Sequence, residues 1–338
     1  MAKTINNIYD NSLTYNNIYL AYIKAKRDKT NRLDVIQFSL NYEYELKKIL
    51  SELKNLTYTF GKYNLFYIHE PKERKILSAP FRDRIVHTWY VENFIVPYFV
   101  KGFMYHSYAC IKDKGMHMCS LNVLKVLRHC MKIYPSGYII KMDIKKYFEN
   151  IQRKILYEII SRKITDKKFL YLTSKILDST EEYDVKRGVS LPIGNYCSQM
   201  FANIYLNELD KYLKEKLHLK YVFRYMGDIV IMLETKETAR KVLKNVRVFL
   251  CNTLKLELNH KTQIFKLKQG VNFCGYKITK RGLKLRNRGK KKVVQKLKYI
   301  RYNLKNMNMT IKEAKRLLAG HMGYMSIADV QGIVNKYF

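Results

Sequence analysis

Two aspartates stand where they could work as a pair. Asp143 closes the apolar run Tyr138-Ile139-Ile140-Lys141-Met142, and Asp228 opens the run Ile229-Val230-Ile231-Met232-Leu233. One acid at a strand end is weak evidence of a site. Two, on separate strands, can converge on a divalent cation, and magnesium prefers such hard oxygen ligands. The chemistry they would serve is phosphoryl transfer. Two ions about 3.5–4 Å apart would share it, one activating the attacking hydroxyl and one holding the triphosphate. Gly227 directly precedes Asp228 in Arg224-Tyr225-Met226-Gly227-Asp228 and brings no side-chain oxygen.

The elements that must position these acids follow from periodicity. Tyr138–Asp143 reads as a strand, and 221–233 as a hairpin turning at Met226-Gly227. Thr235 caps an amphipathic helix through Ala239, Val242, Val246 and Leu250. Residues 254–278 are strand-like. Ser198 is read as the N-cap of a helix carrying Phe201, Ile204, Tyr205 and Leu209 on one face. Upstream, 12–56 is helical with a polar break near Lys26 to Arg32, 62–80 forms short strands, and 83–100 is helical up to Pro97. Residues 154–178 hold two helices. In the basic last third, Thr310-x-x-Glu313 and Ser326-x-x-Asp329 both have capping-box spacing. Strand, helices, hairpin, helix, strand is the order of a split βαββαβ palm.

With 338 residues and 47% hydrophobic content the chain can build a sizeable core. It carries 64 Lys and Arg against 28 Asp and Glu, a net charge of +36. An AT-rich coding genome would enrich Lys, Asn, Ile and Tyr, but it does not account for so few acids. A charge this large repels itself unless a polyanion offsets it, and nucleic acid is the natural partner ahead of an acidic membrane surface. No apolar run is long enough to span a bilayer, and no secretory leader is visible, so a cytoplasmic protein is expected. Six cysteines (Cys110, Cys119, Cys130, Cys197, Cys251, Cys274) lack metal-ligand spacing and are expected to be buried, reduced thiols. Few prolines and no Gly/Ser-rich linker argue for subdomains packed together.

Ordered motifs over nearly the whole length resemble reverse transcriptases. Glu70-Pro71-Lys72-x-Arg74-Lys75-Ile76 and Phe81-Arg82-Asp83-Arg84-Ile85 resemble the fingers, and Ser107-Tyr108-Ala109-Cys110 the next motif. Lys141-x-Asp143-Ile144-Lys145-x-Tyr147-Phe148 resembles the first catalytic motif. Leu191-Pro192-Ile193-Gly194-Asn195-Tyr196-x-Ser198-Gln199 follows. Tyr225-Met226-Gly227-Asp228 matches Tyr-x-Asp-Asp except at Gly227. Leu256-x-Leu258 with Lys261 and Thr262, then Asn272-Phe273-Cys274-Gly275-Tyr276, resemble the last palm motif and the primer grip. Within that superfamily, Ile193-Gly194-Asn195-x-x-Ser198-Gln199 is most similar to enzymes of diversity-generating retroelements. Bacterial defence reverse transcriptases share several of these features.

The resemblance implies an α+β right hand. Residues 1–135 would be an N-terminal helical region and fingers. Residues 136–278 would be palm, with part of the fingers returning around 150–195, and 279–338 a basic helical thumb. It implies RNA-directed DNA synthesis with two magnesium ions, or manganese in their place. Asp143, Asp228 and the backbone carbonyl of Ile144 would hold them, and Gly227 marks the missing catalytic acid. Lys72 and Arg74 would hold the incoming dNTP triphosphate. Phe148 would be the steric gate, Ile193 and Gly194 would line the nascent pair, and Lys261 would bind phosphate or protonate pyrophosphate. Phe273, Cys274, Gly275 and Tyr276 would grip the primer. Arg82, Arg84, Lys290, Lys291, Lys292 and Lys296 would track nucleic acid. The partners implied are a template RNA, a cDNA or primer, and, for a diversity-generating retroelement, a small basic oligomeric accessory protein, all in a bacterial or phage-encoded setting. A defence enzyme with a dedicated non-coding RNA, or a non-catalytic RNA-binding scaffold, are the alternatives. Gly227 itself reads as a deliberate inactivating substitution, a natural variant of reduced activity, or a site compensated by a neighbouring acid.

Overall fold

A computed structural model describes residues 4–69, 73–184 and 186–337. The chain divides into two compact units that interleave along the sequence: 1–104, 145–212 and 248–257 form one, and 105–144, 213–247 and 258–338 the other.

The first unit is mostly helical. Tyr15–Lys26, Leu33–Leu40 and Tyr42–Lys54 follow one another, broken at Lys26 to Arg32 as the polar run requires. Strands β1 (Asn64–Ile68) and β2 (Arg74–Ser78) pair as an antiparallel hairpin. Helix Phe81–Tyr90 continues through a widened turn, Val91–Ile95, into Val96–Tyr98. Around it, Trp89, Tyr90, Phe94, Phe169 and Phe201 are fully buried. Their rings pack edge-on or stacked, as between Tyr90 and Phe169 at 5.3 Å, a geometry that adds to the burial of apolar area. Asp166 caps helix Lys167–Asp178 by accepting from Phe169 N–H, and its other oxygen accepts from Ile8 and Tyr9 N–H. Helix Tyr196–Lys211 starts two residues before the predicted cap Ser198. Asn195 is its N-cap, and Ser198 lies buried in the first turn.

The second unit holds a four-stranded sheet. Strands β3 (Tyr138–Asp143), β4 (Tyr221–Tyr225), β5 (Asp228–Leu233) and β6 (Gln263–Lys266) lie in the order β4-β5-β3-β6, all neighbours antiparallel. Helices separate β3 from β4, and Lys236–Leu254 separates β5 from β6, so the βαββαβ order expected from the sequence is present. Strand β5 is buried along nearly all of its length, which accounts for its unbroken apolar run. Thr235 Oγ1 accepts from Thr238 N–H at the start of the following helix, as expected. Part of 254–278 is not strand, since a short 3₁₀ turn, Leu267–Gln269, intervenes.

Strands β7 (Val271–Phe273), β8 (Tyr276–Thr279) and β9 (Gly282–Leu285) form a separate antiparallel sheet. Its apolar face joins helices Met116–Ile133 and Asn287–Lys305 in one core with Phe273, Tyr276, Ile278, Val293 and Leu297. Thr310 and Glu313 make the predicted capping box at the start of Ile311–Met325. Ser326 does not cap a start. It is the C-cap of that same helix, and the next, Gln331–Tyr337, begins beyond Asp329. Cys119, Cys130 and Cys197 are buried, but Cys110 and Cys251 are exposed and Cys274 half-buried, so burial holds for only some of the thiols.

Candidate active site

Strand register brings the two acids together. Asp143 and Asp228 are direct partners across β3 and β5, and Tyr225 and Asp228 close the β4–β5 hairpin. The turn is Met226-Gly227, with the left-handed φ of 53° on Met226. Ile144 N–H donates to Gly227 O at 3.0 Å, which ties the turn to the end of β3. Asn259 holds Asp143 twice: its N–H donates to the Asp143 carbonyl at 2.7 Å and its Nδ2 to Oδ2 at 3.1 Å. Lys141, two residues before Asp143, places Nζ 3.1 Å from Asp228 Oδ1.

Burial raises the Asp228 pKa above its ordinary value, and the charge of Asp143 raises it further, while Lys141 and Arg286 pull it down. Like charges on cross-strand partners repel, and a cation bound between them would relieve that repulsion. Among the described residues no cluster of three or more His, Cys, Asp or Glu could hold a metal. Magnesium is commonly held by one or two carboxylates together with substrate phosphates; Asp143 and Asp228 fit part of such a donor set, with the Ile144 carbonyl nearby in the chain and no side-chain oxygen at Gly227.

The other predicted site residues in this unit are Lys261 and the primer-grip segment. Lys261 is exposed, and its N–H donates to Asn259 Oδ1 at 3.1 Å. Cys274 (φ 45°) and Gly275 (φ 85°) form the β7–β8 turn, both left-handed as a tight hairpin of this type requires. Phe273 and Tyr276 face the core instead of the solvent. Tyr324 hydroxyl donates to Gly275 O, and Tyr276 hydroxyl to Tyr324 O. On helix Asn287–Lys305, Val293, Leu297 and Ile300 are buried, while Lys290, Lys291 and Lys292 are exposed and Lys296 half-exposed.

The first unit holds the remaining candidates. Arg74 is exposed on β2 and lines a cavity of about 430 Å³ with Lys75, Lys146, Asn150 and Ile193. Leu77 N–H donates to Ile193 O at 3.3 Å. Gly194 has φ 116°, and a Cβ there would come within 3.2 Å of Ile76. Phe148 is half-buried, edge-on to Tyr147 at 5.6 Å, and its carbonyl accepts from Leu191 N–H. Arg82 pairs with Glu52 at 2.8 Å and stacks on Tyr58. Arg84 donates to Ala79 O and Ser78 Oγ. Both arginines therefore have internal partners. Lys72 lies outside the described residues. Reading the sequence did not single out Asn259, Lys141, Arg286 or Tyr324. Two signals were available: Asn259 directly follows Leu256-x-Leu258, and Lys141 opens the Lys141-x-Asp143 motif.

An antiparallel βαββαβ sheet with carboxylates at adjacent strand ends defines a palm of the nucleotidyl-transfer type. The family model for reverse transcriptase (RNA-dependent DNA polymerase) matches residues 71–278, and the chain belongs to that family. A putative COX1/OXI3 intron 2 protein of Saccharomyces cerevisiae is 21% identical over 79% of this chain and 35% of its own length. The group II intron-encoded protein LtrA of Lactococcus lactis is 25% identical over 70% of this chain and 50% of its own. Protein YkfC of Escherichia coli is 25% identical over 62% of this chain and 64% of its own. The chain thus spans about a third to two thirds of these relatives. Apo telomerase from Candida tropicalis is similar with a TM-score of 0.47 and 15% identity, over 67% of this chain and 49% of that one. No helix among the described residues is long and apolar enough to cross a membrane.

Proposed function

We propose that this chain is built for RNA-templated DNA synthesis from dNTPs, with Asp143 and Asp228 as its acids, and that Gly227 keeps it strongly impaired. The observation that carries the reading is the direct pairing of Asp143 with Asp228, each at the end of its strand. Asp143, Asp228 and the Ile144 carbonyl would hold magnesium or manganese, which when bound supplies charge stabilisation at the triphosphate. Asn259 positions Asp143. Lys141 offsets part of the rise in the Asp228 pKa that burial and Asp143 cause. Lys72, Arg74 and Lys261 are proposed for the triphosphate, Ile193 and Gly194 for the nascent pair, and Phe148 for excluding a ribose 2′-hydroxyl. The turn Cys274-Gly275 is proposed as the primer-facing part of the grip, with Phe273 and Tyr276 as its buried supports. Primer extension on an RNA template tests this. Gly227→Asp should raise magnesium-dependent dNTP incorporation at least tenfold, and adding Asp143→Ala should abolish it while RNA binding persists. Equal activity of the chain and its Gly227→Asp variant would sink the metal assignment.

Within the family, the segment Ile193-Gly194-Asn195 supports the reading of a diversity-generating retroelement enzyme with its own template RNA and a small basic accessory oligomer. An apolar β-branched side chain beside the nascent pair cannot hydrogen-bond there, so correct geometry gains less over incorrect geometry. About 1.4 kcal/mol changes an error ratio tenfold. Deep sequencing of cDNA from the Gly227→Asp variant should show errors concentrated opposite template adenines and reduced by Ile193→Gln. The adenine bias is drawn from the family resemblance alone. Errors spread evenly over the four bases would remove the retroelement reading, and uniformly high fidelity would favour a defence enzyme.

A further inference from the structure

Two cysteines far apart in the chain meet beside the candidate site. Cys274 stands in the β7–β8 turn with a left-handed φ of 45°, and its side chain packs against the core that contains Cys119. Cys119 is the fourth residue of helix Met116–Ile133 and is fully buried, and this helix packs against β8. The Cys119 thiol is hydrogen-bonded to that of Cys274. Both belong to the second unit. A third thiol, the exposed Cys110, lies near them. Burial raises the pKa of the Tyr225 hydroxyl, and the neighbouring thiols of Cys274, Cys110 and Cys119 raise it further.

The pair joins elements that the site depends on. Tyr225 ends β4, next to the Met226-Gly227 turn, and Cys274 belongs to the turn proposed to face the primer. Tyr324 holds that same turn, its hydroxyl donating to Gly275 O. The turn therefore has two ties, one to helix Met116–Ile133 through sulfur and one to helix Ile311–Met325 through Tyr324. A covalent bond draws two sulfurs well inside their contact distance, so closing the first tie must pull against the second.

The two thiols also differ in access. Cys274 is half-buried and open to a small oxidant, whereas Cys119 is sealed in the core. Burial pushes the Cys119 thiol well up, and its contact with Cys274 adds to this. Oxidation selects the thiol that is reached and ionised, and a second thiol held against it then resolves the product. Cys274 fits the first part and Cys119 the second.

We propose that Cys119 and Cys274 are a redox pair that a hydroperoxide closes into a disulfide, fixing the β7–β8 turn to helix Met116–Ile133 and loosening the hold on a primer–template hybrid. The loosening rests on the grip reading of that turn. In the first step the Cys274 thiolate attacks a peroxide oxygen. The O–O bond breaks, the leaving oxygen takes a proton, and Cys274 becomes a sulfenic acid. In the second the Cys119 sulfur attacks the Cys274 sulfur. The S–S bond forms, the S–O bond breaks, and the Cys119 proton leaves with the hydroxide as water. Two electrons pass from the thiols to the peroxide.

The test needs no catalysis and uses the full chain as it stands, treated with hydrogen peroxide. A non-reducing peptide map should show the Cys119 and Cys274 peptides joined with the loss of two hydrogens, and dithiothreitol should separate them. Cys110→Ser should leave the link intact. Cys119→Ala should instead leave Cys274 as a sulfenic acid that dimedone traps. Should that core variant fail to fold, Cys274→Ser, at a half-buried turn, should give no link to Cys119. Affinity for a blunt RNA·DNA hybrid should fall at least about threefold on oxidation and recover on reduction, because small displacements of a positioning element are costly. Absence of the link, or a link of Cys274 to Cys110, would overturn the pairing. A link that forms with unchanged hybrid affinity would overturn the switch by taking the turn off the primer.

Discussion

At the residue scale, the site turns on which atoms face which. Asp228 is hemmed in by burial and by Asp143, and Lys141 is the nearest compensating charge. Lys141→Met should therefore raise the Asp228 pKa further. In a Gly227→Asp background this should move the acid limb of the pH–rate profile to higher pH, and an unmoved limb would show that Lys141 does not lower the Asp228 pKa. Phe148→Ala in the same background should admit ribonucleotides, since removing the ring opens room for a 2′-hydroxyl. An unchanged dNTP preference in the folded protein would take Phe148 out of the gate. His87 offers a separate test. It is buried beside Phe60 with both ring nitrogens unpartnered, and burial, helped by Arg84, lowers its pKa to about 4. The folded state then binds fewer protons than the unfolded state between that value and the unfolded value of about 6.5, so stability is lost as pH falls through this window, by about 2 kcal/mol at pH 5. His87→Phe keeps the ring contact and should flatten most of that dependence in urea titrations. His106, depressed likewise but half-exposed, leaves a smaller residual slope.

At the element scale, turns matter more than strands. Gly275 combines φ 85° with a hydroxyl 2.6 Å from where its Cβ would be. Gly275→Ala must both strain the backbone and displace Tyr324, whose contacts tie the β7–β8 turn to helix Ile311–Met325. A loss of about 2 kcal/mol is expected by denaturant unfolding. A value near zero would mean that the turn adapts freely. The Ser198 and Ser326 readings failed for one reason: a Ser also occurs inside or just after a helix, so its presence near an apolar run does not by itself mark a start. The Thr310 box succeeded because a polar break precedes it and an amphipathic run follows.

At the scale of the molecule, helix Asn287–Lys305 carries part of the net charge of +36 and is proposed to track the template–primer duplex. Neutralising Lys292 and Lys296 should reduce the salt slope for hybrid binding by roughly 0.7–0.9 per lost phosphate contact. An unchanged hybrid slope would place the duplex track elsewhere.

Much of this protein was legible before folding. Apolar runs bounded by Asp143 and by Met226-Gly227 determined β3, the β4–β5 hairpin and the palm order, because period and turn chemistry are local properties. The charge balance pointed to a polyanionic partner for the same reason: it depends on composition alone. Contacts between residues far apart in the chain were decided only by tertiary structure. Asn259 reaches Asp143 from 116 positions away, and Lys277 meets Lys284 only through strand register. Arg82 looked available until Glu52 and Tyr58 closed on it. Pairing of this kind depends on which elements pack together, and no window of sequence contains that information.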